Sequence, residues 1–437
     1  MPDPATLTQT MAEMLTQSRQ AAYTMATLTT AQKNEALLAF AALLETHRND
    51  LRLANDQDLK AQEGQLSPAL FQRLKLSDAK INTLIQGLKD VAGLPDPVGR
   101  VTLQTKLDEG LVLSKVAVPI GVIGIVFESR PDVVPQILSL ILKSGNAVVF
   151  KGGREAHHSN AAFMRVVDAL NARCPFLPKA WGQLIDSRQA FQALLDFHDK
   201  VDLVIPRGSN QLVQQVMAAT KIPVLGHADG ICHLYVHASA DAASPETMAL
   251  IMDSKCQYPA ACNALETLLV DAAVAQTLLP PLKAAADESG VTLKGCSKTQ
   301  AVIDGIEPAQ EADWHTEYGD LTMSVKVVDD LAAAIAHINT YGSHHTDCIV
   351  ARDEQAMEQF MAQVDSASVF ANASTRFADG FRYGFGAEIG ISTAKTHARG
   401  PVGMDGLVIY KYQLHGHGHL VADYSGDTPK PFLHQPL

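Results

Sequence analysis

After residue 120, short apolar runs alternate with helix-like segments, and this order leaves few folds open. Residues 121–127 and 147–150 are typical of buried strands, while residues 133–143 have helical spacing and are closed by Gly145. Further strands are predicted at 201–205, 222–225 and 232–237. The alternation predicts a mostly parallel sheet with helices on both faces.

A second series of predicted strands follows residue 262. These strands are predicted at 265–270, 325–328, 348–351 and 368–370. In the first series, Ser159 and Ser187 stand at positions typical of helix N-caps, and the helix of Ser159 is predicted to end at Arg173. The chain is therefore predicted to contain two α/β units.

The first hundred residues have a helical pattern instead. Apolar residues recur at helical spacing from Leu37 to Leu44, and Thr29 with Gln32 matches a capping box. Residues 101–118 form two β-rich runs around a turn at Gly110, which predicts a hairpin.

Composition excludes several classes of protein. The chain has 437 residues, of which 47% are hydrophobic and 19% charged, as in ordinary globular proteins. Its net charge of −12, without a dense basic run, argues against a nucleic-acid partner and favours a small-molecule substrate. The longest apolar run, 116–127, is too short to cross a bilayer, and no signal-peptide pattern opens the chain. With six cysteines that lack framework spacing, a cytoplasmic location is expected.

Cys262 is the candidate nucleophile, because it lies between a proline-marked loop and a strand-like apolar run. A thiol attacks carbonyl carbon as its thiolate, so it needs a local field or base. The alternative is a buried small hydrophobe, the expected role of four other cysteines: Cys174, Cys232, Cys296 and Cys348. Cys256 is too loosely placed to form a redox pair with Cys262.

Several segments resemble the gamma-glutamyl phosphate reductases, a branch of the aldehyde dehydrogenase superfamily. The matching segments are residues 262–270, 121–151 with the signature 127–131, 372–377, 385–393 and 397–401, and the resemblance runs from about Thr29 to about Lys411. One departure is Asp132, which stands where relatives usually carry asparagine. An ionised aspartate only accepts hydrogen bonds, so the donor role of that amide is in doubt and Asp132 is predicted to be a helix N-cap.

The resemblance implies a nicotinamide cofactor, although the usual Gly-x-Gly-x-x-Gly pattern follows no strand of the first unit. It implies that Lys151 contacts the adenosine ribose. Arg154 suits a 2′-phosphate, because a guanidinium matches phosphate geometry, so NADPH is favoured over NADH. Five further residues are implied to contact the cofactor: Arg207, Gly208, Ser209, Glu317 and Phe385.

The chemistry implied by the resemblance is reductive. Aldehyde-oxidising relatives use a glutamate base to hydrolyse a thioester, but the corresponding segment here reads Leu225-Gly226-His227-Ala228-Asp229-Gly230. With an acyl phosphate no such base is needed. Cys262 would displace phosphate from glutamate 5-phosphate, and the thioester would be reduced to the semialdehyde. The backbone N–H of Cys262 and the side chain of Asn263 are candidate oxyanion donors, though Asn263 could equally be a turn residue.

Substrate anions need cations. Four candidates for the phosphate and the carboxylate are Arg130, Lys255, Arg376 and Arg399, each of which could equally form a structural ion pair.

The tail histidines His415, His417 and His419 lie in a Gly-rich segment without an accompanying acid or cysteine, so no metal is assigned.

The predicted fold is an aldehyde-dehydrogenase-like α/β fold with two Rossmann-like parallel-sheet domains and a small β element for oligomerisation. The predicted NADP-binding domain is 1–98 and 119–237 together with 386–404, the catalytic domain is 238–385, and the oligomerisation element is 99–118 and 405–437. The expected activity is glutamate-5-semialdehyde dehydrogenase in proline biosynthesis. Alternatives are a reductase or dehydrogenase for another acyl phosphate or aldehyde, or a non-catalytic binding protein of this fold. A homo-oligomer is expected, most simply a homodimer, and a glutamate 5-kinase is a further candidate partner.

Overall fold

The computed structural model describes residues 4–227 and 229–437. The chain divides into two compact units, one formed by Met1–Leu225 with Val402–Leu437 and the other by Gly226–Pro401. Within the described residues, no helix combines the length and the apolar character needed to cross a membrane.

The first unit opens with a helical layer, which confirms the helical pattern of the first hundred residues. Its helices are α1 (Pro4–Met25), α2 (Thr30–Thr46), α3 (Arg48–Gln62), α4 (Pro68–Leu74) and α5 (Asp78–Gly93). The predicted capping box is confirmed at the start of α2. The backbone N–H of Thr29 donates to Gln32 Oε1 at 2.9 Å, and the backbone N–H of Gln32 donates to Thr29 Oγ1 at 3.3 Å.

The predicted hairpin is confirmed as β1 (Val101–Asp108) and β2 (Leu111–Pro119), which pair antiparallel. Gly110 turns the chain with a φ of 73°, a left-handed conformation that favours glycine.

A four-stranded parallel sheet follows, with strand order β5-β4-β3-β6. Its elements are β3 (Val122–Phe127), α6 (Val133–Ser144), β4 (Ala147–Lys151), α7 (His157–Arg173), β5 (Gly182–Ile185), α8 (Arg188–Leu194), β6 (Leu203–Arg207) and α9 (Asn210–Ala219). Gly145 ends α6 with a φ of 73°, and the Ser187 side chain accepts the N–H of Ala190 at the start of α8. Both predicted helix boundaries are therefore confirmed.

Two local predictions in this unit are wrong. Ser159 lies inside the first turn of α7, and its hydroxyl donates to Asp58 Oδ2 at 2.6 Å. A buried acceptor from another helix therefore takes the hydroxyl that would otherwise cap α7. Residues 222–225 do not form a strand, since they make a single parallel bridge between Val224 and Val204.

The second unit contains a seven-stranded sheet with the order β10-β9-β11-β8-β7-β12-β13. Its strands are β7 (Cys232–Val236), β8 (Leu265–Asp271), β9 (Thr292–Gly295), β10 (Glu307–Pro308), β11 (Thr322–Val328), β12 (Thr346–Val350) and β13 (Ser368–Ala371). Its helices are α10 (Pro245–Cys256), α11 (Ala275–Ser289), α12 (Ser297–Gln300), α13 (Leu331–Tyr341) and α14 (Glu354–Gln363). All the strand pairs are parallel.

Helices cover both faces of this sheet, because neighbouring residues of a strand point to opposite sides. On β8, Leu268 packs in a cluster that includes Leu278 of α11, whereas Leu269 packs in a cluster with Ile338 of α13 and Phe360 of α14. All seven residues of β8 are buried. This two-sided burial holds the strand ends, and the loops before them, in place.

The strand β7 lies inside this sheet, between β8 and β12. Sequence order places it with the first unit, within the range 119–237 of the predicted NADP-binding domain. Its pairing with β8 and β12 instead makes it part of the second unit. The residues 386–401, also predicted with the NADP-binding domain, belong to the second unit as well.

The C-terminal segment returns to the hairpin. After the short strands β14 (Gly390–Ser392) and β15 (Gly400–Val402), strand β16 (Val408–His415) pairs antiparallel with β2, and β17 (Gln435–Pro436) pairs antiparallel with β1. The hairpin and the tail thus share one four-stranded sheet of order β16-β2-β1-β17.

Candidate active site

The candidate site lies where three adjacent parallel strands begin. Cys262 precedes β8, His227 precedes β7 and His345 directly precedes β12, and these strands are neighbours in the order β8-β7-β12. Because the strands are parallel, their amino ends meet at one edge of the sheet. The reactive groups of these three residues all lie within 4.8 Å of one another.

The Cys262 thiol contacts the imidazole of His345. His345 Nε2 lies 3.2 Å from Cys262 Sγ, and Nδ1 of the same ring lies 2.9 Å from Thr346 Oγ1. Burial lowers the pKa of His345 well below its ordinary value, with the nearby His227 and Arg376 as smaller causes in the same direction. The imidazole is therefore neutral at physiological pH and can accept a hydrogen bond from the thiol, while burial and the charge of Arg376 disfavour its protonated form.

His345 was not among the residues predicted from the sequence. The available signal was its position, one of two successive histidines just before a predicted strand.

His227 is the third residue of the site. A hydrogen bond orients its ring, since Nδ1 lies 3.0 Å from the carbonyl oxygen of Ile391. A carbonyl only accepts, so Nδ1 carries a proton and donates it to this hydrogen bond.

Arg376 brings positive charge to the same place. It interacts electrostatically with both Cys262 and His345, and its side chain is nearly buried. Its Nε donates to Gln257 Oε1 at 2.9 Å, and the guanidinium lies 5.8 Å from the ring centre of Tyr258. A fixed cation near a thiol favours the thiolate. Arg376, one of the four predicted substrate cations, thus interacts with Cys262.

Gly230 and Glu317 support the loop that carries the thiol. The backbone N–H of Gly230 donates to Glu317 Oε2 at 3.0 Å. A Cβ atom at Gly230 would lie 2.2 Å from the carbonyl oxygen of Cys262, so glycine is required for this close approach. Glu317 is thereby anchored next to the Cys262 loop, while its role toward a cofactor ribose stays a prediction.

Asn263 is also anchored. Its Nδ2 donates to the carbonyl oxygen of Ala378 at 2.9 Å, and its Oδ1 is buried without a hydrogen-bond partner within the described residues. One amide hydrogen is thus used to hold the loop, which leaves one for an oxyanion. The catalytic role of Asn263 stays a prediction.

Two other predicted substrate cations are engaged in ion pairs. Lys255 is fully buried, with Nζ 2.8 Å from Glu266 Oε2. Arg399 donates from Nη1 to Asp365 Oδ1 at 2.9 Å. The structural ion pair that the sequence left open as an alternative is therefore present at both positions.

In the first unit, Arg130 Nη2 lies 3.8 Å from Asp132 Oδ2 and its side chain is partly exposed. Asp132 occupies the N-cap position of α6 as predicted, but its carboxylate makes no capping hydrogen bond. It accepts instead from Gln136 Nε2 at 3.3 Å.

A cavity of 410 Å³ opens at the ends of β3 and β4 in the first unit. Its lining includes the predicted residues Lys151 and Ser209, together with Glu128 and Arg188. Burial lowers the pKa of Lys151, an effect that the charges of Arg154 and Arg188 reinforce and those of Glu155 and Glu128 oppose. Arg188 was not predicted, although it directly follows the predicted cap Ser187.

A second cavity, of 320 Å³, lies beside Lys151. It is lined by Gly152, Arg154, His157 and Asn160 among others, and the Oδ1 of Asn160 is buried without a hydrogen-bond partner within the described part of the chain. A Cβ at Gly152 would lie 2.2 Å from Asn160 Nδ2. The orphaned oxygen of Asn160 and the carboxylate of Asp186 suit hydroxyl donors of a ligand, whereas the guanidinium of Arg154 suits an anionic group.

The predicted turn Arg207-Gly208-Ser209 begins at the last residue of β6. Ser209 caps α9, its backbone N–H donates to Glu128 Oε2 at 3.1 Å, and a Cβ at Gly208 would lie 2.6 Å from the same oxygen. The Glu128 carboxylate therefore packs closely against the backbone of this turn, and the role of the turn toward a cofactor stays a prediction. Phe385, predicted to lie over the nicotinamide, is 45% exposed, and its ring centre lies 5.5 Å from that of Tyr383.

Comparison with known proteins shows the family of this chain. Residues 4–299 match the model of the aldehyde dehydrogenase family. The gamma-glutamyl phosphate reductase 1 of Synechocystis sp. is 53% identical over 421 residues, which cover 96% of each chain. The crystal structure of gamma-glutamyl phosphate reductase from Thermotoga maritima superposes with a TM-score of 0.91 at 37% identity and covers 94% of this chain and 99% of its own.

A more distant structure shows the fold alone. The glyceraldehyde-3-phosphate dehydrogenase of Methanocaldococcus jannaschii, solved with NADP, is 11% identical and has a TM-score of 0.64, covering 94% of this chain and 95% of its own. The predicted aldehyde-dehydrogenase-like fold is thereby confirmed. The chain belongs to the aldehyde dehydrogenase family, in the branch whose members are named gamma-glutamyl phosphate reductase.

Proposed function

We propose that this chain reduces gamma-glutamyl phosphate to glutamate 5-semialdehyde with release of phosphate, as a step of proline biosynthesis. The observation that carries the proposal is the Cys262–His345 contact of 3.2 Å beside Arg376, in a chain whose relatives are named for this activity. A thiol with a neutral imidazole and a cation beside it is an activated nucleophile. The relatives do not favour the alternative of another acyl phosphate or aldehyde.

The first step is attack by sulfur. His345 accepts a hydrogen bond from the Cys262 thiol, the charge of Arg376 stabilises the thiolate that forms, and the thiol proton leaves with the released phosphate. The sulfur adds to the acyl carbon, the bond from that carbon to the phosphate oxygen breaks, and a thioester on Cys262 remains. The backbone N–H of Cys262 and the free amide hydrogen of Asn263 are the donors proposed for the oxyanion.

The second step is reduction of the thioester. A bound nicotinamide cofactor supplies the hydride that this step needs. The carbon–sulfur bond of the reduced intermediate then breaks, which releases the semialdehyde and restores the Cys262 thiolate. The loop before β7 contains no glutamate, so the chain does not offer there the base that hydrolysing relatives use.

An assay in the reverse direction tests this function. The protein is mixed with glutamate 5-semialdehyde and NADP, and reduction of NADP is followed with and without inorganic phosphate. We expect strict dependence on phosphate, because phosphate must cleave the thioester. Equal rates without phosphate, with glutamate as the product, would identify a hydrolysing aldehyde dehydrogenase instead.

The preference for NADPH rests on a cluster of positive charge. Arg154 lines the 320 Å³ cavity, Arg188 lines the 410 Å³ cavity, and both act electrostatically on Lys151. Guanidinium groups bind phosphate with two parallel hydrogen bonds, whereas the 2′-hydroxyl of NADH offers no such anion. Lys151 contacts the ribose, and the two arginines contact the 2′-phosphate.

The variants Arg154→Ala and Arg188→Ala are each expected to raise the KM for NADPH by about tenfold to a hundredfold, since each removes a charge-assisted hydrogen bond. The KM for NADH and the kcat are expected to change little. Arg173→Ala, in the exposed last turn of α7, is the matched control. Steady-state kinetics with both cofactors measures this, and equal losses for NADPH and NADH would contradict a 2′-phosphate site.

The sheet β16-β2-β1-β17 is proposed to pair two protomers. It leaves several large apolar side chains exposed, namely Val101, Leu103, Ile409, Tyr410, Tyr412 and Leu414. Exposed apolar side chains on a small sheet are favourably covered by a second copy of the same surface, which makes a two-fold symmetric interface.

We expect the full-length protein to be a dimer in light scattering and a protein truncated after Met404 to be a monomer. Because truncation removes β16, the double variant Leu103→Glu/Leu414→Glu provides a version of the test that keeps the sheet. Its exposed charges should oppose pairing without disturbing the fold. A dimer that persists in both variants would refute this interface.

Two further expectations belong to the same proposal. None of the six cysteines, all within the described residues, forms a disulfide, which fits a reducing compartment, so we infer a cytoplasmic location. The acyl phosphate substrate is labile in water, so a glutamate 5-kinase that delivers it directly is the proposed partner. Co-purification of the two enzymes tests this association.

A further inference from the structure

Cys262, His227 and His345 form a cluster of soft ligand atoms that the proposed reaction does not need in full. Their ligand atoms lie within 4.8 Å of one another in a single compact unit. We propose that this cluster is a site for a zinc ion, which binds reversibly to the thiolate and both imidazoles and holds the enzyme inactive. The binding itself is independent of the proposed function, while the inhibition rests on it.

The geometry is near that of a zinc site. A tetrahedral zinc ion, with about 2.0 Å to nitrogen and about 2.3 Å to sulfur, holds its ligands about 3.4–3.6 Å apart. His345 Nε2 and Cys262 Sγ are already 3.2 Å apart, and the remaining separations are at most 4.8 Å, so zinc binding requires the ligand atoms to approach by roughly 1 Å more. Three protein ligands leave the fourth position open for water or a substrate oxygen.

The hydrogen bonds behind the ligands orient both rings. His227 donates from Nδ1 to the carbonyl oxygen of Ile391 at 3.0 Å, and His345 Nδ1 lies 2.9 Å from Thr346 Oγ1. Such outer contacts on the second ring nitrogen are the usual support of metal-bound histidine, because they direct the other nitrogen toward the ion.

The ligand chemistry selects the metal. One thiolate and two neutral imidazoles suit zinc, whereas magnesium and calcium prefer oxygen ligands. Binding replaces the thiol proton with zinc, and this proton is released to solvent. Zinc then occupies the sulfur lone pair that attacks the acyl phosphate, so turnover stops until the ion leaves.

Cadmium provides a direct test, because a cadmium–thiolate bond has an ultraviolet charge-transfer band. With the reduced full-length protein we expect one cadmium ion per chain, a band that is lost in Cys262→Ser, and competition by zinc. His227→Gln is expected to weaken binding by at least about 100-fold, since loss of even a supporting contact costs about 10- to 100-fold. His417→Gln, in the tail, is the matched control and should bind as the unmodified protein does.

Activity provides the second measurement. Zinc should inhibit the reverse assay, a chelator should restore it, and the zinc concentration for half-inhibition should rise by at least about 100-fold in His227→Gln relative to that variant's own uninhibited rate. Binding without inhibition would refute the proposed reaction at Cys262 and keep the metal site. A cadmium band that survives in His227→Gln with unchanged affinity, or no band at saturating cadmium, would refute the site itself.

Discussion

Cys262→Ala is expected to lose at least about 10⁴-fold in kcat while it keeps its fold and its affinity for the cofactor, because removal of a nucleophile that acts in a covalent step abolishes that step. The reverse assay with phosphate measures the rate, circular dichroism measures the fold, and NADPH fluorescence measures cofactor binding. The predicted cofactor cavities belong to the first unit and Cys262 to the second, so the two readouts are separable.

Cys256→Ala is the matched control for this experiment. Cys256 is also a free, partly buried thiol, but it ends helix α10, and burial raises its pKa. It should retain nearly full activity. Phosphate-dependent turnover in Cys262→Ala, or an equal loss in Cys256→Ala, would contradict a covalent mechanism at Cys262.

Lys255→Met is expected to lower the free energy of unfolding by about 3–5 kcal/mol, because it leaves the Glu266 carboxylate buried without its partner. Lys255 and Glu266 are both fully buried, and the pair is joined at 2.8 Å. Urea denaturation measures the change. Lys298→Met, which removes a pair with Asp329 at the surface, should cost less than about 1 kcal/mol.

The double variant Lys255→Met/Glu266→Leu separates loss of the pair from loss of packing. Replacing a buried ion pair by apolar residues is often close to neutral, so the double variant should recover most of the stability that Lys255→Met loses. A double variant that is less stable than Lys255→Met would show that the pair itself, and not the unpaired carboxylate, dominates the effect.

The loss of stability in Lys255→Met should depend on pH in a defined direction. Burial raises the pKa of Glu266 to about 7, against the opposing influence of Lys255. The folded state thus holds this proton at pH values where the unfolded state has released it, so stability falls as the pH rises from about 4.5 to about 7. The loss in Lys255→Met should accordingly be smaller at pH of about 5, where Glu266 is protonated, than above neutrality.

Local patterns in the sequence predicted the elements and the nucleophile. The capping box at Thr29, the hairpin around Gly110 and the end of α6 at Gly145 depend on residues within a few positions of one another. Cys262 was predicted as the nucleophile from the loop and the apolar run on either side of it and from the resemblance of that segment to the family, and this role stays a prediction. Short-range hydrogen bonds and backbone conformation decide such features, and a single sequence records them directly.

Contacts between distant segments were decided by the tertiary structure. His345 lies 83 positions from Cys262 along the chain and reaches it because β12 and β8 flank β7 in one parallel sheet. The same sheet places β7 in the second unit, although its position in the sequence suggested the first. Likewise, the hydroxyl of Ser159 is hydrogen-bonded to Asp58 of α3, a residue distant in the sequence, and does not cap α7.

What the sequence alone determined was therefore which residues are chemically able to react: the Cys262 thiol, the Lys151 amine and the guanidinium groups. Which of them meet was decided by strand order and burial. Lys255 illustrates the difference, since its sequence position suggested a substrate contact while the fold paired it with Glu266. The free energy of burying a charge depends on the partner found in three dimensions, and no local pattern specifies that partner.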